Sequence, residues 1–275
     1  MMTPLYLGLP QWQHPQWKKL GMSTLEDYAR YFNCVEGNTT LYALPRPEVV
    51  QRWRAMTHDD FRFCFKFPAT ISHQAALRQC GDLTAEFFAL MEPLAGRLGQ
   101  YWLQLPAAFS PADLPALWAF LDSLPTEFHY GVEVRHAEFF AKGDAERALN
   151  RGLHQRGVNR VILDTRAVHA AKPTTPAIVD AQRKKPKLPV HAVITASEPM
   201  IRFIGGDNPQ ANLHDFRAWL SRLPEWCQTT RPWLFIHTPD IAFAPELVRY
   251  LWPDLQKALP QLGDVPDWPQ QETLF

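Results

Sequence analysis

Short apolar runs recur along the whole chain, with mixed polar and apolar stretches between them. Eight stand out, at 5–9, 34–37, 61–67, 101–105, 130–134, 160–163, 200–204 and 233–237. Each is brief and almost continuously apolar or β-branched, as a strand covered on both faces should be. The intervening stretches predict helices. "STLEDYARYF" offers Ser23 or Thr24 as a cap with Glu26 and Asp27 in the first turn. "RPEVVQRWRAM" has Pro47 where a first-turn proline belongs. "SPADLPALWAFLDSL", "NLHDFRAWLSRL" and "APELVRYLWPDLQKAL" repeat the plan.

Eight strands alternating with helices predict a parallel sheet. A single closed (β/α)8 TIM-type barrel over residues 1–259 is the economical solution, and a doubly wound open sheet is the alternative. No G-x-G-x-x-G or G-x-x-x-x-G-K-[ST] loop occurs, which weighs against a nucleotide-binding open sheet. One piece breaks the plan. Residues 164–199, between runs six and seven, are basic and proline-rich and read as irregular. Long loops in compact domains tend to be functional or disordered, so 166–189 is expected to border the working face.

Composition changes this picture little. The 275 residues are 46% hydrophobic and 20% charged, as in ordinary globular proteins. No apolar run approaches the roughly 18 residues of a membrane span, and no basic-then-apolar leader opens the chain. Cys34, Cys64, Cys80 and Cys227 are scattered, with no CxxC pair, which predicts reduced thiols and a cytoplasmic setting. Net charge is zero, yet from Lys142 to Lys187 eleven Lys and Arg face four acids. That asymmetry permits a basic face for phosphates; a solvated helix face beside a basic loop explains it equally well.

In a barrel the working groups stand at the C-terminal ends of the strands. Polar residues close every run: Gln11 and Trp12 after the first; Glu36, Asn38 and Thr39 at the second; Lys66, then His73, at the third; Gln104 at the fourth. Glu133, Arg135 and His136 follow at the fifth, Asp164 and Arg166 at the sixth, Arg202 at the seventh, and His237 and Asp240 at the eighth. Charges inside or at the tips of apolar runs should be paired or used. Carboxylates beside Lys and Arg suit acid/base work on a polar, anionic substrate. Glu36, Asn38, Lys66, Glu133, Asp164 and His237 are therefore the catalytic candidates, with Glu36 and Glu133 as acid and base. Gln11, Trp12, Thr39, His73, Gln104, Arg135 and Arg202 are the substrate- or anion-binding candidates. A divalent metal is a weaker expectation: there is no HExxH or His-x-His, and Glu133, Asp164 and His237 would be its ligands. No G-x-S-x-G elbow supports covalent serine chemistry.

The motifs "GLPQWQHPQW", "YFNCVEGNTTLYALP", "RFCFKFPATISH", "QYWLQLPAAF", "YGVEVRH" and "IRFIGG" occur in this order. With their spacing, they resemble the successive motifs of the YecE-like family, domain of unknown function 72. The resemblance runs from residue 5 to about residue 260 and implies a TIM-type barrel with these motifs at its mouth. It brings no established reaction. Many members of that family read "RxHG" where this chain has Arg202-Phe203-Ile204-Gly205, so Ile204 stands where the resemblance implies a histidine and supplies neither a metal ligand nor an acid.

Three functions follow as expectations. The first is a hydrolase or lyase using carboxylate acid/base chemistry on a phosphate-bearing substrate, a small anion or damaged DNA. The second is a non-catalytic barrel that holds a ligand or nucleic acid. The third is a sugar or sugar-acid processing enzyme, with Trp12 as a stacking platform. The chain ends in "PQQETLF" after a proline-rich tail, 260–275, expected to be flexible. Gln271, Leu274 and Phe275 resemble the Q-x-x-L-F peptide by which bacterial proteins dock on the DNA polymerase sliding clamp. A loose linker would make that contact a tether that raises local concentration at DNA.

Overall fold

The structure, a computed structural model, describes residues 5–267. Each of the eight apolar runs forms a strand. They are β1 (Tyr6–Leu9), β2 (Cys34–Gly37), β3 (Arg62–Lys66), β4 (Leu98–Gln104) and β5 (His129–Glu133). The sixth run gives β6 (Asn159–Arg160) and β7 (Ile162–Asp164), and the last two give β8 (Met200–Ile204) and β9 (Trp233–His237). All are parallel, in the order β6-β5-β4-β3-β2-β1-β9-β8-β7. β6 and β7 are two halves of one stave. The first pairs with β5, the second with β8, and only Val161 separates them; its N–H donates to the Val132 carbonyl at 2.9 Å. The change of partner within one stave closes the sheet into an eight-stave (β/α)8 barrel.

Helices wrap the outside: α1 (Leu25–Ala29), α2 (Pro47–Ala55), α3 (Gly81–Met91), α4 (Leu114–Asp122), α5 (Asp144–Gln155), α6 (Arg166–Ala170), α7 (Pro176–Lys184), α8 (Pro209–Thr229) and α9 (Ala244–Ala258). Their starts follow local chemistry. Thr24 and Asp27 form a reciprocal capping box at α1, and Pro47 opens α2. The stretch read as irregular contains two of these helices. α7 is started by Thr175, whose hydroxyl accepts from Ile178 N–H, with Pro176 in the first turn.

Alternation along each strand sorts the side chains into two layers. Phe63, Phe65, Tyr101, Leu103, Val132, Ile201, Phe203, Leu234 and Ile236 point outward and join the helices in the main core. Tyr6, Cys34, Cys64, Trp102, Val161, Met200, Trp233 and Phe235 fill the barrel interior as a separate cluster. Space there is tight. A Cβ on Gly131 would sit 2.9 Å from Val161 Cγ2, so a glycine at that point leaves room for the interior side chains around Trp102.

After α9 the chain makes one 3-10 turn, Pro260–Leu262, and the Gly263 carbonyl accepts from Trp252 Nε1 at 3.3 Å and Gln256 Nε2 at 3.0 Å. The first residues of the expected tail therefore stay fastened to α9. Gln271, Leu274 and Phe275 lie outside the described residues. Among the described residues no helix is long and apolar enough to cross a membrane.

Candidate functional site

Glu36, Lys66, Glu133, Arg202 and His237 are the last residues, or nearly the last, of five staves. Their positions have the parity of the interior cluster: Glu36 follows Cys34, Lys66 follows Cys64, Arg202 follows Met200, and His237 follows Phe235, each by two residues. They form the top layer of the barrel interior, and all five are buried.

Arg202 is the hub. Its Nε donates to both Glu36 oxygens at 3.1 Å, its Nη2 to Glu36 Oε1 at 2.7 Å, and its Nη1 to Glu133 Oε2 at 2.6 Å. Each carboxylate has a second partner. His237 Nε2 donates to Glu36 Oε2 at 2.9 Å, and Arg135 donates to Glu133 Oε1 through Nε at 2.9 Å and Nη2 at 2.7 Å. Burial alone would raise both carboxyls. Arg202 and then His237 overcome it at Glu36, which is held well below its ordinary range. Arg202, Arg135 and Lys66 do so at Glu133, which is held at about 2. Burial drives the His237 imidazole down to about 4 despite Glu36, so it is neutral at pH 7 with its proton on Nε2.

Lys66 is different in kind. Its ammonium donates to Gln104 Oε1 at 2.9 Å and lies 4.7 Å from the Trp102 ring centre, with no ion pair among the described residues. The Arg202 guanidinium lies 4.7 Å from the same ring, so one indole carries two cations. Burial, then Arg202, lowers Lys66 to about 7, against the pull of Glu36 and Glu133. Thr40 fixes the end of its strand, donating through Oγ1 to the Lys66 carbonyl at 2.7 Å.

The other candidates divide. Arg135 and Gln104 belong to the cluster. His73 stands at its rim on a π-helical turn, Thr70–Gln74, where its ring bonds Ser72 Oγ at 2.8 Å and feels Arg135 and Lys66. Asn38 spans two strand ends, donating to the carbonyls of Pro10 at 2.9 Å and Glu36 at 3.4 Å. Gln11 bonds the Gln13 carbonyl at 2.7 Å, and Thr39 is exposed.

Two further candidates turn to the helix side of the sheet. Trp12 packs edge-on against Trp53 at 5.1 Å and Phe63 at 6.5 Å, on the helix side of the sheet. Asp164 shares the outward parity of Ile162. Its carboxylate takes Arg166 Nη2 at 2.7 Å and Trp219 Nε1 of α8 at 2.8 Å, which separates it from Glu133 and His237 as a metal ligand. The reason is the pleat: one position along a strand exchanges mouth for helix layer. Among the described residues no group of three His, Cys, Asp or Glu side chains is gathered to hold a metal.

Sequence reasoning missed Lys185 as a site residue, although it lies in the basic segment 142–187. Two consecutive carbonyls fasten the end of α7 beside the mouth. His169 Nε2 donates to the Lys185 carbonyl at 3.1 Å, and Thr165 Oγ1 to that of Pro186 at 2.9 Å. The Lys185 side chain then shares the field of Arg202, Glu36, Glu133 and Arg135, and burial followed by Arg202 takes it down to about 8. Between the loops after β8 and β9 opens a cavity of about 690 Å³, walled by Pro176, Gly206, Thr238, Phe243, Leu247 and Tyr250 and by none of the charged residues of this cluster. It has the size of a small-molecule site.

Comparison with known proteins agrees with this architecture. Residues 6–272 match the model of the family described as "Protein of unknown function DUF72". The chain is 70% identical to UPF0759 protein YecE of Escherichia coli K12 over 271 residues, covering 98% of this chain and all of that one, and 69% identical to its counterpart in E. coli O157:H7. A DUF72 family protein of Enterococcus faecalis V583 shares the fold at 19% identity with a TM-score of 0.69, covering 98% of this chain and 100% of that one. One from Thermotoga maritima MSB8 does so at 17% identity with a TM-score of 0.68, covering 92% and 99%. A barrel of this form, matched by that model over nearly its whole length, makes the chain a member of the DUF72 family.

Proposed function

We propose that the barrel mouth binds a small phosphate-bearing anion and carries out acid/base chemistry on it, as a hydrolase or lyase, with Lys66 as the group that moves the proton. The observation that carries this reading is the Lys66 amine. It is buried, makes no ion pair with a carboxylate among the described residues, and is drawn down to about 7 by burial and Arg202. A group whose pKa matches the working pH both gives and takes protons efficiently. Glu36 and Glu133 are held ionised by Arg202, so they suit orienting and charge-stabilising roles better than a proton-donating one. That weighs against a sugar hydrolase that needs one protonated carboxyl. The test is a panel of phosphorylated small molecules, followed by thermal shift for binding and by NMR for product, with the wild type and Lys66→Met side by side. Turnover lost in Lys66→Met supports the reading. Binding without turnover across the panel favours a non-catalytic ligand barrel. Equal binding by the variant removes Lys66 from the site.

A second reading, a DNA-related role with a clamp tether, rests on two features. Arg166, His169 and Lys187 line a cavity of about 500 Å³, and Arg166 is shared with a neighbouring one of about 160 Å³ that also holds Arg222. The terminal Gln271, Leu274 and Phe275 supply the clamp-like peptide. Burial of such a Leu and Phe contributes roughly 1.5–3 kcal/mol each before ordering costs, enough for a modest tether. Titration of the intact protein and of a Leu274→Ala, Phe275→Ala double variant against purified clamp tests it. Equal binding by both ends the idea.

A further inference from the structure

We propose that the cavity of about 690 Å³ between the loops after β8 and β9 binds an organic cation, a molecule with an apolar or aromatic body and a protonated amine. The site is separate from the charged mouth and does not depend on the reading of Lys66.

The walls set the body of the ligand. Phe243, Leu247 and Tyr250 follow the i, i+4, i+7 spacing of one helical face at the start of α9, and Pro176 in the first turn of α7 lines the cavity with them. Phe243 is 51% exposed and Tyr250 37% exposed, so two aromatic rings are left open to an occupant instead of being spent in the core. An apolar recess of this volume takes a small organic molecule.

The charges set the sign. Asp207, Asp240 and Glu246 line the cavity, and among the described residues no Lys, Arg or His does. None of the three makes an ion pair among the described residues. Carboxylates around an apolar recess repel anions and draw in a cation, and aromatic rings attract it further.

An anion is the usual occupant at this place in a barrel. Phosphate is commonly held by the loops after the last two strands, at a helix N-terminus. Here the donors are already used. The Asn208 side chain accepts from Ala211 N–H at 3.0 Å, Asn212 Oδ1 accepts from Gly206 N–H at 2.6 Å, and Pro209 has no N–H to offer. On the second loop Asp240 Oδ1 takes the Ala242 N–H at 3.0 Å. These amides are not free to cradle a phosphate, and Asp207 and Asp240 stand beside them.

Isothermal titration of the full-length protein at pH 7 and low salt tests this with three probes that share an indole body. Tryptamine carries a positive charge, tryptophol none and indole-3-propionate a negative one. Tryptamine should bind at least about tenfold tighter than tryptophol, with indole-3-propionate weakest. Asp207 and Glu246 are exposed, so their replacement spares the fold. An Asp207→Asn, Glu246→Gln double variant should bring tryptamine down to the affinity of tryptophol and leave tryptophol unchanged, which a merely destabilised protein does not do. Phe243→Ala should weaken both probes together. Equal affinities for the three probes, a preference for indole-3-propionate, or unchanged tryptamine affinity in the double variant overturns the cation site. So does a failure of all three probes to bind, which leaves the anion reading of the mouth untouched.

Discussion

Arg202 and Glu36, 166 residues apart in the chain, meet through three hydrogen bonds from one guanidinium, the shortest 2.7 Å. The same guanidinium reaches Glu133 at 2.6 Å, so staves β2, β5 and β8 are joined across the top of the barrel by one side chain. A planar fork with five donors can do this, and a lysine cannot.

Removing that fork should be severe. Arg202→Met leaves Glu36 and Glu133 buried, close together and facing each other's charge. Breaking a buried ion pair from one side costs about 3–5 kcal/mol. Urea unfolding should show a loss of that size, with Arg202→Lys only partly restoring stability. A loss below about 1 kcal/mol, the range of exposed pairs, would mean that the cluster is not buried as described.

Lys66 should reveal itself through alkaline stability. Its folded pKa of about 7 lies below the unfolded value near 10.4, so between these limits the unfolded chain binds more protons. Wild-type stability from this group therefore rises as pH increases from 7 to about 10, by an amount on the order of a few kcal/mol. Lys66→Met should lack that slope and be at least as stable as wild type at pH 7. Parallel slopes for the two proteins would contradict the lowered amine.

His237 acts at the other end of the scale. Its folded pKa of about 4 lies below the unfolded value near 6.5, so its contribution is complete above pH 6.5 and lost as pH falls toward 4. His237→Gln keeps a donor for Glu36 without the titration. Denaturation curves at pH 7 and pH 4.5 should converge for the variant more than for wild type. Direct observation of the imidazole by NMR titration gives the same answer independently.

Asp164 provides the contrast. Asp164→Asn weakens charged bonds to Arg166 and a bond to Trp219 in the helix layer, so stability should fall by roughly 1.5–3 kcal/mol. Affinity for any anion that binds at the mouth should be unchanged. A large drop in anion affinity with stability intact would return Asp164 to the site.

The order of elements was legible in the amino-acid sequence, because strands buried on both faces announce themselves as short apolar runs and helix starts as caps and prolines. Glu36, Lys66, Glu133, Arg202 and His237 were legible for a related reason: a charge at the tip of an apolar run has few explanations. Which face each side chain takes was not. In a stave such as Val161-Ile162-Leu163-Asp164 both faces are apolar, so the pattern carries no parity, and only the closed ring shows that Asp164 points to α8 while Arg202 on the next stave points inward. Lys185 was hidden more deeply. It sits in a basic, proline-rich stretch with no strand period, and its place beside the mouth depends on two bonds from His169 and Thr165 that form once α6 and α7 pack. Local sequence determines which residues repeat with which period. Long-range pairing alone decides which charges share a volume, because the energy that brings them together is spread over eight staves.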